Sequence, residues 1–192
     1  MQIVSYPHPT LRHKSKAVRH VDSELHKTVQ QMFTLMYEAN GIGLAANQVD
    51  LPLRLFIVNS EGNPEEGEEL VFINPVLTQQ EGQAESDEGC LSIPGVSAVV
   101  TRPSQVHVEA YNLQGQPFRA TLSEMMARVV QHENDHLDGI LFTDRVATED
   151  KLELEPTLDE LAIEFQSRRD RGDIPDDEQI LARLAEFEER YC

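Results

Sequence analysis

The stretch QHENDHLDG, residues 131–139, sets two histidines four positions apart with a glutamate directly after the first. On an α-helix, residues four apart lie one above the other, so His132 and His136 can present both imidazoles to one divalent ion. Glu133 then stands beside that ion, within reach of a water bound to it, where a carboxylate can act as general base in a hydrolysis. The ion itself brings the pKa of such a water toward neutrality. Two core histidines satisfied by ordinary hydrogen bonds would show the same spacing. Three ionisable groups on one inward face speak against that plainer reading, because an isolated carboxylate is costly to bury.

A catalytic site of this type needs a third protein ligand, and no histidine follows His136. Glu155, 19 residues downstream, stands at a distance from which a second helix could return a carboxylate to the ion, as in a glutamate-liganded zinc peptidase. It lies, however, in the acidic stretch EDKLELEP, which reads as solvent-facing. Upstream, Cys90 in ESDEGCLSIPG would be a soft third donor that leaves a fourth tetrahedral position open to water. Taken alone, Cys90 reads more readily as an inert buried thiol or as a nucleophile. A Cys–His nucleophile would leave Glu133 and the second histidine without a purpose.

These residues must be positioned by surrounding elements. Thr121 and Glu124 have the spacing of a capping box, which predicts that the histidine-bearing helix starts there and ends at Gly139. Leu122, Met125, Met126, Val129, Val130 and Leu137 would form its inward face, a row that His132 and His136 continue. A second amphipathic helix is expected from Asp22 to Asn40, with Leu25, Val29, Met32, Phe33, Met36 and Ala39 on one stripe. The β-branched runs RLFIV (54–58), LVFINPVL (70–77), VSAVV (96–100) and QVHVEAY (105–111) read as strands, and EGNPEEGEE (61–69) as a solvated hairpin tip. With no helical pattern between the strands, antiparallel pairing is expected. The fold class is therefore α+β, with antiparallel sheets packed around a central helix carrying the His-Glu-x-x-His pattern.

The bulk composition excludes several function classes. A chain of 192 residues suffices for one full hydrophobic core, and no apolar run is long enough to cross a bilayer. The start lacks the pattern of a secretory signal, and two cysteines, one of them at position 192, make a poor disulfide framework, so a cytoplasmic setting is expected. A formal charge of −18 opposes general binding to nucleic acid. Half of that charge sits beyond residue 148, where 15 acidic residues face 6 basic ones. LDELAIEF and DEQILARLAEFEERY there show helical spacing, so residues 148–192 are expected to form peripheral acidic helices, with a mobile end allowed, appended to a catalytic domain of residues 1–147.

Three segments taken together, GIGLAANQ (41–48), EGCLS (88–92) and QHENDHLDG (131–139), resemble the motifs of the peptide deformylases in order and interval, and the opening VSYPHPTLRHKSKAV and the INP at 73–75 are similar to that family too. The resemblance implies that Cys90, His132 and His136 hold one divalent metal ion, commonly iron(II), with zinc, nickel or cobalt also accommodated. It implies removal of the formyl group from N-terminal formylmethionine of new chains by a monomer, with any ribosome association transient. It further implies that Glu133 moves the proton while Gln48 and the backbone N–H of Leu91 donate to the oxyanion. Gly41 and Gly43 lend themselves to close backbone approach, so an extended peptide could lie along that segment as an added strand. Ile42, Gly43 and Gly89 would flank the substrate main chain, and Met125 and Val129 would line the pocket for the methionine side chain.

Three features depart from that pattern. Arg128 stands one turn before His132 where many relatives have an apolar residue, and Ser97 stands where some carry a basic one, so substrate preference is open at both. The acidic tail is incompatible with the basic C-terminal helix that docks some relatives on ribosomal RNA. A glutamate-liganded metallopeptidase and a non-catalytic metal-binding protein remain the competing readings. Cys90→Ala against Glu155→Ala separates the first, and formate release separates the second.

Overall fold

In the computed structural model, which describes residues 1–192, the run Leu55–Val58 is buried on both faces, which is why it reads as continuously apolar. It forms the second strand, β2, of a five-stranded antiparallel sheet made of β1 (Gly43–Ala45), β2, β3 (Leu70–Glu81), β6 (Gln105–Tyr111) and β7 (Pro117–Ser123), in the order β1-β2-β3-β6-β7. Leu55 and Ile57 point to one side, where helix α1 (Ser23–Glu38) packs with Leu25, Val29, Met32 and Met36. Phe56 and Val58 point to the other, where helix α2 (Glu124–Leu137) packs with Val129, Val130 and Leu137. The alternation expected of half-buried strands is clearest in β6, where Val106, Val108 and Ala110 are buried and Glu109 and Tyr111 are exposed.

Strands β4 (Ala84–Cys90) and β5 (Ile93–Arg102) form a separate two-stranded sheet. Its inward residues Ile93, Val96 and Val100 meet Val4, Leu11, Leu141 and Phe142, the last beginning the short helix α3 (Phe142–Arg145). Ridge-like partners come from α4 (Thr148–Asp170), whose Leu154, Leu158 and Leu161 cover this cluster. Beyond a turn, α5 (Asp177–Tyr191) returns to the body of the protein. Ile180 and Leu184 pack with Phe165 and Ile174, and Tyr191 joins the α1 side of the main core. The C-terminal end packs against the body of the protein. Tyr191 is 3% exposed, and Glu188 bonds both His13 and Lys16.

Two expectations need correction. Helix α2 is capped by Ser123, without a side-chain cap bond, and not by a box at Thr121 and Glu124. Thr121 and Leu122 belong to β7, paired with His107 and Val106, and Thr121 Oγ1 lies 3.1 Å from His107 Nδ1. Sheet pairing continues to Ser123, directly before the helix, so tertiary ladder bonds override the local cap signal. Met125 is correspondingly not an inward residue: it is 54% exposed. Strands β1, β4 and β7 lack a β-branched run, and none of them stood out in the sequence for that reason.

Candidate metal centre and active site

Helix α2 supplies two imidazoles because four-residue spacing sets His132 and His136 one turn apart on the same face, with their rings edge to face and centroids 5.0 Å apart. The end of β4 supplies Cys90 from the opposite side. One ligand atom from each of the three residues lies within 4.8 Å of the other two, and Cys90 Sγ is 3.3 Å from His136 Nε2. Glu155 is exposed on α4 and takes no part in this group. The donor set, one thiolate sulfur and two imidazole nitrogens with open space beside them, fits a divalent ion of the iron-to-zinc series.

Partners behind the donors fix their orientation. His132 Nδ1 is 3.0 Å from Glu88 Oε2, leaving Nε2 for the site. Glu88 is in turn held by Arg102, whose Nε and Nη2 donate at 2.6 and 2.8 Å, while Arg102 Nη1 donates to Asp135 at 2.7 Å. Burial disfavours the Glu88 carboxylate, but the Arg102 bonds and His132 outweigh it and bring its pKa down to about 2. This network was missed in the sequence. A signal exists: Arg102 falls on the same alternation as the inward Val96 and Val100, and an arginine in core phase demands buried carboxylates.

Glu133 is buried, and its Oε2 has no hydrogen-bond partner. Burial pushes its pKa up to about 7, against the pull of His132 and Arg102. Strand β1 passes directly over it: a Cβ on Gly43 would sit 2.5 Å from Glu133 Oε1, so any side chain there would displace the Glu133 carboxyl. For His132, burial would lower the pKa, yet the bonds to Cys90 and Glu88 and the charge of Glu133 lift it to about 10. His136 is held well below its ordinary value, first by burial and then by the positive charge of His132.

Gln48, 1% exposed, lies in a short 3-10 helix (Ala46–Val49) after β1. Its Oε1 accepts from Ala45 N at 2.8 Å, which aims Nε2 at Cys90 Sγ and Ser92 Oγ, both 3.4 Å away. Leu91, in the turn between β4 and β5, donates its N–H to no backbone carbonyl. A cavity of about 430 Å³ is lined by Ile42, Gly43, Gln48, Gly89, Cys90, Leu91, Met125, Val129, His132 and Glu133, so all the expected site residues but His136 border it. His136 is 1% exposed and does not line it. Met125 reaches the rim from outside the core, and Arg128 also borders the space. Ser97, by contrast, is exposed on β5 and is not among the lining residues.

A Cys-His-His donor set at the meeting of a helix and a β-hairpin, with a buried glutamate beside it, defines the class of mononuclear metal hydrolases. Residues 1–152 match the family model for polypeptide deformylase, and the chain belongs to that family. It is 44% identical over 191 residues to the peptide deformylase of Rhodopirellula baltica, covering 100% of this chain and 95% of that one. It is 39% identical over 184 residues to peptide deformylase 1B, chloroplastic/mitochondrial, of Arabidopsis thaliana, covering 95% of this chain and 66% of the relative. A crystal structure of Arabidopsis thaliana peptide deformylase 1B in complex with an inhibitor superposes with a TM-score of 0.83 at 40% identity, over 92% of this chain and 97% of that one.

Proposed function

We infer that the chain removes the formyl group from the N-terminal formylmethionine of newly made polypeptides, releasing formate and a free amino terminus. The observation that carries this reading is the convergence of Cys90, His132 and His136 within one 4.8 Å group beside a buried, unpartnered Glu133 oxygen. A single divalent ion held by those three residues would supply the Lewis acidity that activates water and polarises the formyl oxygen. In the proposed roles, Glu133 Oε2 takes the proton from the attacking water and passes it to the departing amine nitrogen. Gln48 Nε2 and Leu91 N–H donate to the oxygen on which negative charge develops.

The peptide main chain enters between β1, an edge strand of the large sheet, and β4 of the hairpin, flanked by Ile42, Gly43 and Gly89. Val129 and the rim residue Met125 contact the methionine side chain. A formyl carbon carries only hydrogen, so a close fit above the donors would exclude an acetyl methyl by contact.

The ion proposed for the cell is iron(II), as the resemblance to the deformylases implies, and one soft and two borderline donors suit zinc, nickel and cobalt as well. The chain acts as a cytoplasmic monomer, and any contact with the ribosome is transient and does not use a basic C-terminal helix. No helix is long and apolar enough to cross a membrane. Residues 1–147 carry the chemistry, and 148–192 form an acidic brace. Formate release from formyl-Met-Ala-Ser by anaerobically purified protein, with metal content measured in the same sample, tests the reading. Stoichiometric metal without formate would replace it with a binding role, and release from acetyl-Met-Ala-Ser at a similar rate would remove the steric basis for formyl selectivity.

A further inference from the structure

The three donors of the proposed metal site come from two elements that share no backbone ladder: His132 and His136 from α2, Cys90 from the end of the β4–β5 hairpin. The hairpin is a sheet of its own, β4 is exposed over Ala84–Asp87, and its register shifts between Gly89 and Cys90. Something must fix its height on the helix to well under an ångström if the sulfur is to meet the imidazoles in bonding geometry.

Arg128 is placed to do this. It is 8% exposed, one helical turn before His132. Its Nη1 donates to Glu88 Oε1 at 2.6 Å and to the Val100 carbonyl at 2.9 Å, and its Nη2 donates to the Ala84 carbonyl at 2.7 Å. One planar guanidinium thus grips both strands of the hairpin and the carboxylate that orients His132. No other α2 side chain donates to carbonyls of both strands. Charge alone does not account for it. Glu88 is already paired by two donors of Arg102, so a second guanidinium is not needed for neutralisation. What Arg128 adds is the pair of carbonyl contacts, which require a rigid fork rather than a point charge.

We propose that Arg128 is a positioning residue of the metal centre, which locks the hairpin carrying Cys90 against the helix carrying both histidines so that the three donors are preorganised for the ion. This rests on the metal-hydrolase reading above. It concerns assembly of the site and assigns Arg128 no contact with substrate.

The test compares parent, Arg128→Lys and Arg128→Met proteins on cobalt(II). Cobalt affinity is read by chelator competition, the sulfur ligand by its thiolate-to-cobalt absorption band, and stability by melting with and without cobalt. Arg128→Met is expected to bind cobalt about 10–100-fold more weakly, the usual effect of losing a partner behind a ligand. Its thiolate band should weaken, and its gain in melting temperature on cobalt binding should shrink. Arg128→Lys should resemble Arg128→Met more than the parent, because an ammonium cannot serve all three acceptors in one plane, and it carries the test if the methionine variant does not fold. Parental cobalt affinity and band in either variant that folds overturns the proposal, even if that variant melts earlier, since the arginine would then serve general stability or charge alone. A parent that binds no cobalt overturns the metal-hydrolase reading and this inference together, whereas a binding parent matched by its variants overturns this inference only.

Discussion

Helices α2 and α5 have polar, charged sequences of similar length, yet they sit at opposite depths. In α2, Arg128, Gln131, Glu133, Asp135 and His136 are all buried alongside Ala127, Val129, Val130 and Leu137. In α5 the charges stay at the surface or the seam, and burial is confined to Ile180, Leu184 and Tyr191 on one side. The tail follows the ordinary rule that a helix buries an apolar stripe. The site helix breaks it, and its polar groups are bearable inside because they answer one another, as in the run from Arg128 through Glu88 and Arg102 to Asp135. Three atoms of this helix have no such answer, Glu133 Oε2 at the cavity, Asn134 Oδ1 and His136 Nδ1. Arg169 Nε and Arg183 Nε in the tail lack partners too, but each guanidinium is paired through Nη2 with an aspartate, whereas Glu133 is a buried carboxylate beside the donor set, which points to a function.

If α2 carries chemistry and α5 carries stability, changes in the two should read out differently. The largest effect is expected for Glu133→Gln, which keeps the donors but removes the base. Formate release should fall by about 10²- to 10⁴-fold with metal content intact, and a change below tenfold would break the distinction. Next, Cys90→Ala should abolish stoichiometric metal binding, measured by elemental analysis after dialysis, while Glu155→Ala on exposed α4 should leave it intact. The reverse pattern would move the site toward the tail.

On the α5 side, Leu184→Ala removes a side chain that is 1% exposed. It should cost about 2–5 kcal/mol in denaturant unfolding, with formate release per folded molecule unchanged. A selective loss of turnover would mean that the brace also tunes the site. The smallest effect concerns His8, at the seam between the tail and the body, whose pKa is lowered to about 4 by burial first and then by Arg183 and Arg169. Because the unfolded imidazole takes up protons near 6.5 and the folded one near 4, the unfolded state binds more protons between these values. Stability from keeping His8 neutral is therefore present above pH 6.5 and declines as pH falls toward 4. His8→Gln should flatten that part of the decline in denaturation midpoints compared at pH 7 and pH 5, and an unchanged slope would show that the seam contributes nothing through this group.

The same contrast explains what the sequence disclosed. The clustering of His132, Glu133 and His136 was legible because helical spacing alone brings them to one face, and α1 and β6 because a single periodicity runs through each. Cys90 was not legible by itself. Nothing local distinguishes a ligand from an inert thiol, and only three motifs in order raised it above its alternatives. Arg128 was visible as a departure, but its role depends on carbonyls 28 and 44 residues away, beyond any local pattern. The start of α2 was misread because a capping signal within one turn competes with ladder bonds from β6, and the ladder prevails. For the tail, net charge suggested looseness, while three apolar residues on one face of α5 decide that it packs.

The most direct measurement is X-ray absorption at the zinc edge of the protein loaded with one equivalent of zinc. One sulfur at about 2.3 Å and two imidazole nitrogens at about 2.0–2.1 Å are expected in the first coordination sphere, with the sulfur signal lost in Cys90→Ala. A sphere of nitrogen and oxygen only in the parent protein would contradict the assignment of Cys90 as the third ligand and the deformylase chemistry built on it.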